Sequence, residues 1–433
     1  MNKLIKILVF YTHLFIQKIK SIYSLLFRIY IFINKCIQFL RIRLSLPYLY
    51  TKLGLLKSYY GNNIKVFKNV NEMFRYFMYQ VDTKEKLFGF ESVYGNIKKN
   101  FKNFFYVYEN AIVFGGTKAV YYQNKFIHDD YFNLVKYKYI EHTRYPFVKI
   151  GNNYLVKYKS RGILRRFDSG IYLNNEYNQN YFHFIFETLP KLIAIRNSIV
   201  DNEIPIILQS NLHENVKSIV NLVSNQRKVL YLNERTFYNF KVLYSLPEYS
   251  LIIDSYYDIE NAPLKLNFDF IDPFINIVTK KYINDKHSKI KRKFPKKIFF
   301  ARADSIGLRR SLMNKKNLQD ISKINNFKIV SLNSLTIEEQ FLLCKNASHF
   351  IFESGAALSN MIFMNKGSRV IVLISNHFAN QKKIWIEIAK RMEVDLVFIE
   401  GKVTLKAYLN KHGVHYPYKI DEEIFKKNIT LSS

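Results

Sequence analysis

The second half of the chain alternates short apolar runs with longer amphipathic ones. Residues 298–301, 327–332, His349–Glu353, 370–374 and 396–399 read as strands, and 317–324, 337–346, 355–364 and 379–392 as helices between them. Short apolar runs separated by helical periods with brief turns predict a doubly wound parallel sheet. Thr336-Ile-Glu-Glu339 is a capping box, which opens one of these helices. The same alternation occurs upstream. Asn178-Gln179-Asn180 precedes a helix over 181–197, then come a strand over 204–208, a helix over Glu214–Val223 and a strand over 228–232. Residues 104–173 have another texture. Short Tyr/Phe/Val/Ile runs are broken by Gly115-Gly116, Gln123-Asn124 and Gly151-Asn152-Asn153, which predicts strands joined by tight turns. Residues 46–100 show no clear period. Residues 280–297, rich in lysine and holding Pro295, read as an inter-domain connector or a solvated basic face.

The first forty residues have a helical pattern of their own. At about 100° per residue, Lys3, Lys6, His13, Gln17, Lys20, Ser24, Arg28 and Lys35 fall on one arc roughly 100° wide. Leu4, Leu8, Tyr11, Phe15, Tyr23, Leu26, Tyr30 and Phe32 occupy the rest of the circle, and Lys18 breaks it. The longest uncharged run, 7–17, is well short of the ~20 apolar residues that a membrane span needs. No small-residue cleavage site follows it, so it is a poor signal peptide. A basic amphipathic helix over 1–45 lying on an anionic membrane surface fits the pattern, as does a helix packed on the protein's own core or on a partner.

Charge sharpens that picture. Lys and Arg total 66 against 34 Asp and Glu, a net charge of +32 over 433 residues. Nine Lys and three Arg precede the first acidic residue, Glu72. Such a surface attracts nucleic acid, anionic lipid or phosphorylated substrates. The joint abundance of Lys, Asn, Ile, Tyr and Phe also fits compositional drift on solvated faces. With 48% hydrophobic residues the chain affords a large core, and its length suggests two to three domains. Two cysteines, Cys36 and Cys344, exclude a disulfide scaffold and a multi-cysteine metal site.

Two constellations could carry chemistry. In the first, the strand His349–Glu353 runs into Ser354-Gly355-Ala356-Ala357 and then a helix. A small-residue turn there exposes first-turn amides to an anion, although the same turn also serves as a plain helix cap. Arg302 follows another strand, with Arg309, Arg310 and Asn314 beyond it. Parallel strands end on one side, so Arg302 and the Ser354-Gly355 turn are expected at one crevice, where arginine suits a phosphate. The second constellation is Asn180-Tyr-Phe-His183-Phe-Ile-Phe-Glu187-Thr-Leu-Pro190. His183 and Glu187 share a helix face among bulky apolar residues, which suits either a general base or a structural pair anchoring the helix. No third metal ligand and no HExxH pattern accompany them.

Taken together these segments resemble glycosyltransferase family 61, which includes bacterial capsule- and lipopolysaccharide-type enzymes and eukaryotic xylosyl- and N-acetylglucosaminyltransferases. The resemblance rests on 180–192, on 298–302 with Arg309, Arg310 and Asn314, on 335–340 and on 353–364, over roughly 170–400. It implies an α/β fold of GT-B type: two Rossmann-like domains facing a cleft, an acceptor-side domain over 46–285, a donor-binding domain over 290–405 and a tail over 406–433. It implies inverting, metal-independent transfer from a nucleotide-sugar donor to a glycan or lipid-linked acceptor in surface polysaccharide synthesis, with no cofactor. Carried over, Arg302, Arg309, Arg310, Asn314, Glu353, Ser354, Gly355, Ala356 and Asn360 fall at donor positions, and His183 and Glu187, the candidate catalytic pair, in the N-terminal motif that faces the cleft. Three departures stand out: Ser354 where the family often has His, Ala301 where it often has Ser, and Phe184 where it often has Trp. The expected place is the cytoplasmic face of a membrane. Two rival readings are a non-enzymatic basic protein that binds nucleic acid, although no helix-turn-helix, zinc-finger, KH or RRM signature is present, and a family member that has lost activity.

Overall fold

The computed structural model describes residues 106–430 apart from 119, 123–124, 128–146, 151–152, 157–163, 176, 197, 199–200, 235, 247, 253–263, 284–293, 303–310, 377–381 and 404–416. The expected helix over 1–45 lies outside these residues, as do Arg309, Arg310 and most of the lysine-rich connector.

The strand-rich texture folds as expected. β1 (Tyr106–Phe114), β2 (Val120–Tyr122) and β3 (Lys125–Ile127) form an antiparallel meander whose first reversal falls at Gly115-Gly116. Gly116 has φ of +86°, a left-handed conformation in which glycine carries no Cβ penalty. β4 (Phe147–Ile150) and β5 (Asn153–Val156) form a separate two-stranded ribbon.

β6 (Leu164–Tyr172) begins the first α/β layer. Helix α1 follows: Tyr181–His183, a π-helical turn over Phe184–Thr188, then Leu189–Arg196. Asn180 caps it, its side chain accepting from the Phe182 amide at 3.1 Å. The π turn has a cause in sequence. Pro190 has no N–H for the helical ladder, and its ring crowds the carbonyl four residues back. The ladder shifts by one instead, and the Leu189 amide bonds the Phe184 carbonyl. Then come β7 (Ile206–Gln209), α2 (Glu214–Val223), β8 (Val229–Leu232), β9 (Phe237–Ser245), the short pair β10 (Leu251–Ile252) and β11 (Leu264–Lys265), and α3 (Ile271–Tyr282). The first sheet has the order β3-β2-β1-β9-β6-β7-β8. β9, β6, β7 and β8 are parallel, and β1 runs against β9.

The second layer comprises β12 (Lys297–Ala301), α4 (Lys315–Ile324), β13 (Lys328–Ser331), α5 (Ile337–Asn346), β14 (His349–Glu353), a 3₁₀ helix over Ala356–Phe363, β15 (Arg369–Ser375), α6 (Lys382–Met392) and β16 (Asp395–Val403). The Thr336–Glu339 capping box is present at the start of α5. The segment expected as an α-helix after Gly355 is instead the tighter 3₁₀ form. Residues 418–430, expected as part of a tail, complete the fold. β17 (Tyr418–Lys419) pairs antiparallel with β16, and α7 (Glu422–Thr430) buries Phe425 and Ile429. The sheet order is β13-β12-β14-β15-β16-β17. The first five strands are parallel, and the order reverses direction between β12 and β14.

One apolar core joins the layers. Ile206, Leu208, Ile219 and Phe274 from the first layer share it with Phe341, Phe350, Met361 and Ile388 from the second. Within the described residues the two sheets fall in one contact-dense unit.

Candidate active site

In an open parallel sheet, ligands bind outside the carboxyl ends of the strands where the strand order reverses. In the second sheet that point lies between β12 and β14, and the expected donor residues Arg302 and Glu353–Gly355 end those two strands. The Glu353 Oε1 accepts from the Arg302 amide at 3.0 Å and meets the Lys315 ammonium at 3.2 Å. Lys315 also donates to the Arg302 carbonyl. Glu353 thus fixes the end of β12 from β14. It is 5% exposed, and burial pushes its carboxyl above the ordinary range, although the Arg302 amide and Lys315 oppose the shift.

The crevice contains polar atoms with nothing to bind. Among the described residues, the Arg302 Nη1 and the Ser354 Oγ are buried without a hydrogen-bond partner. Native proteins leave few such groups. Beside them a side chain on Gly355 would meet nothing within 4 Å, so the turn faces open space. Ala356 begins the 3₁₀ helix.

The two remaining donor expectations are placed differently. Asn314 heads α4, but its Nδ2 donates to the Ile420 carbonyl at 2.9 Å and to Glu422 at 3.1 Å, and its Oδ1 accepts from the Ile420 amide. It fastens the C-terminal strand and helix. Asn360 is 0% exposed, takes the Tyr181 hydroxyl at 2.9 Å and donates to Gln340 at 3.1 Å. It joins α1 to the 3₁₀ helix.

That bond brings the second constellation close. His183 and Glu187 lie on α1 just past Tyr181, and each is 3% exposed. The His183 Nδ1 is 3.3 Å from the Glu187 Oε2, but the geometry is off line and leaves the nitrogen without a hydrogen bond. The His183 ring stacks on Tyr177, with centroids 4.9 Å apart. The Asn175 side-chain amide donates to the Glu187 Oε2, and its own Oδ1 accepts from the Tyr177 amide at 3.0 Å. Asn175 and Lys315 were not expected from sequence. Asn175 carries a signal that could have shown it, a polar pair placed just beyond a strand, whereas Lys315 is one lysine among many.

Among the described residues no three His, Cys, Asp or Glu side chains gather in metal-binding geometry, and no helix is long and apolar enough to cross a membrane. A family model described as Glycosyltransferase 61 matches residues 181–371, a span that opens at the Tyr181 of α1 and closes on β15. No curated protein matches the chain. The matched span takes in His183, Glu187, Arg302 and the Ser354-Gly355 turn, so over residues 181–371 the chain is similar to glycosyltransferase family 61.

Proposed function

We propose that this glycosyltransferase moves a sugar from a nucleoside-diphosphate donor to a glycan or lipid-linked acceptor, with inversion and without a metal, in building a surface polysaccharide. One observation carries the reading: the Arg302 Nη1 and the Ser354 Oγ lie buried and unpartnered beside the open Gly355 turn, at the point where the order of a parallel sheet reverses. An arginine and exposed backbone amides offer the positive potential that a departing diphosphate requires. In the transfer, the acceptor oxygen bonds to the anomeric carbon as the bond to the diphosphate oxygen breaks. The bonding pair leaves with the diphosphate, which Arg302 stabilises, and the acceptor proton passes to Glu187. Asn175 and His183 orient that carboxylate.

Glu187 has a rival role, since a buried pair also anchors a helix. The two roles separate in Glu187→Gln, which keeps the shape of the side chain. Catalysis predicts a folded variant that still binds donor while release of nucleoside diphosphate falls by roughly 10²–10⁴-fold. Near-normal release would leave the pair structural. A full-length protein that binds no nucleotide sugar but does bind duplex DNA would replace the whole reading with the nucleic-acid one.

We further propose that residues 1–45 hold the enzyme to the anionic inner face of a membrane. Their basic stripe and wide apolar arc support this. Full-length protein should sediment with phosphatidylglycerol vesicles at low salt, and absence of such binding would contradict it.

A further inference from the structure

The first sheet has a reversal point of its own. The chain passes from β6 to β7 and β8 on one side and returns as β9 on the other. A narrow recess with about 20 Å³ of accessible space, room for one hydroxyl-sized group, opens at the carboxyl ends of β6 and β9. Glu248, three residues past β9, meets the ammonium groups of Lys118 at 2.9 Å and Lys191 at 2.6 Å through a single oxygen, Oε1. Its other oxygen, Oε2, is buried with no partner among the described residues. Asn174, two residues past β6, donates to the Tyr172 hydroxyl at 3.2 Å, while its Oδ1 is likewise buried and unpartnered. On β7, outside the recess lining, Gln209 lies two residues past Ile207, the register partner of Tyr172. Both atoms of its amide are buried without partners.

A carboxylate oxygen and an amide oxygen left unpaired at one recess call for donors from outside the protein. A cation is disfavoured by the two ammonium groups already there, and an anion by the two free acceptors. A neutral hydroxyl suits both, donating to an acceptor and receiving from an ammonium. Lys191, which lines the recess, lies one turn along α1 from Glu187, the proposed base. We propose that this recess is a subsite for hydroxyl groups of the acceptor saccharide, held by Glu248, Asn174 and Lys191. The proposal rests on the glycosyltransferase reading for its ligand class.

Saturation-transfer NMR on the full chain tests it, with the methyl glycosides of glucose, galactose, mannose, xylose and N-acetylglucosamine as probes and UDP and GDP as separate controls. At least one glycoside should bind the wild type, and Asn174→Ala and Glu248→Gln should each weaken it about tenfold or more while nucleotide affinity holds within about twofold. Failure of every glycoside to bind the wild type would overturn the subsite and indicate a recess filled by fixed water. Unchanged glycoside affinity in Asn174→Ala, the milder substitution, would overturn it too. The nucleotide controls report on the donor crevice, so glycoside binding without nucleotide binding would sink the donor assignment and leave the recess standing.

Discussion

Glu353 shows how a single residue serves the crevice at a cost in stability. Burial raises its carboxyl above the ordinary value of 4.5. Above that pH the unfolded chain has released the proton while the folded chain still holds it. The folded state then binds more protons, so this residue's contribution falls as pH rises from about 4.5 through the raised pKa. In Glu353→Gln that dependence disappears. The melting temperature of the wild type relative to the variant should therefore decline across this window, and a constant difference would contradict the assignment. The candidate site was legible where chemistry coincides with a local signal. Arg302 and Ser354 stand at strand ends, and His183 and Glu187 stand four apart on one helix. It was illegible where tertiary contact decides. Asn314 and Asn360 are polar residues near the expected turn, yet their partners lie 106 and 179 residues away in sequence. No local pattern shows that their hydrogen-bonding capacity is already committed.

At the scale of elements, the bond between α1 and the 3₁₀ helix links the proposed base to the donor turn. The Tyr181 hydroxyl donates to Asn360, and burial, with a smaller contribution from Cys344, keeps the phenol protonated well above its ordinary range. Tyr181→Phe would leave the fully buried Asn360 Oδ1 without its donor, at a cost of roughly 1–3 kcal/mol. Chemical denaturation should show that loss with one unfolding transition, because the layers share their core. Two transitions, or no loss, would contradict the coupling. Most helices and parallel strands followed from periodicity, since each buries a single face or a continuous apolar run. The capping box at Thr336 was plain, whereas the π turn before Pro190 interrupts what was expected as one helix over 181–197. The 3₁₀ form after Gly355 was not, since apolar residues at positions 358 and 361–363 suit either helix.

At the scale of the whole molecule, both sheets place their reversal points at carboxyl edges lined by residues that are polar, buried and in part unpartnered. A single core holds the two layers together, and the bond from Tyr181 to Asn360 crosses between them. Sequence periodicity located the layers but not their shared core, because a buried apolar face carries no mark of the surface it will meet. The net charge of +32 is a property of the chain as a whole and adds long-range attraction for an anionic donor, which salt weakens. The short-range claim rests on Arg302. Calorimetric titration of the full-length protein with UDP and GDP, in wild type and in Arg302→Ala, tests it most directly. The account predicts that one nucleoside diphosphate binds and that the substitution removes about 1.5–3 kcal/mol of its affinity at fixed salt. Equal affinity in the two proteins would contradict it.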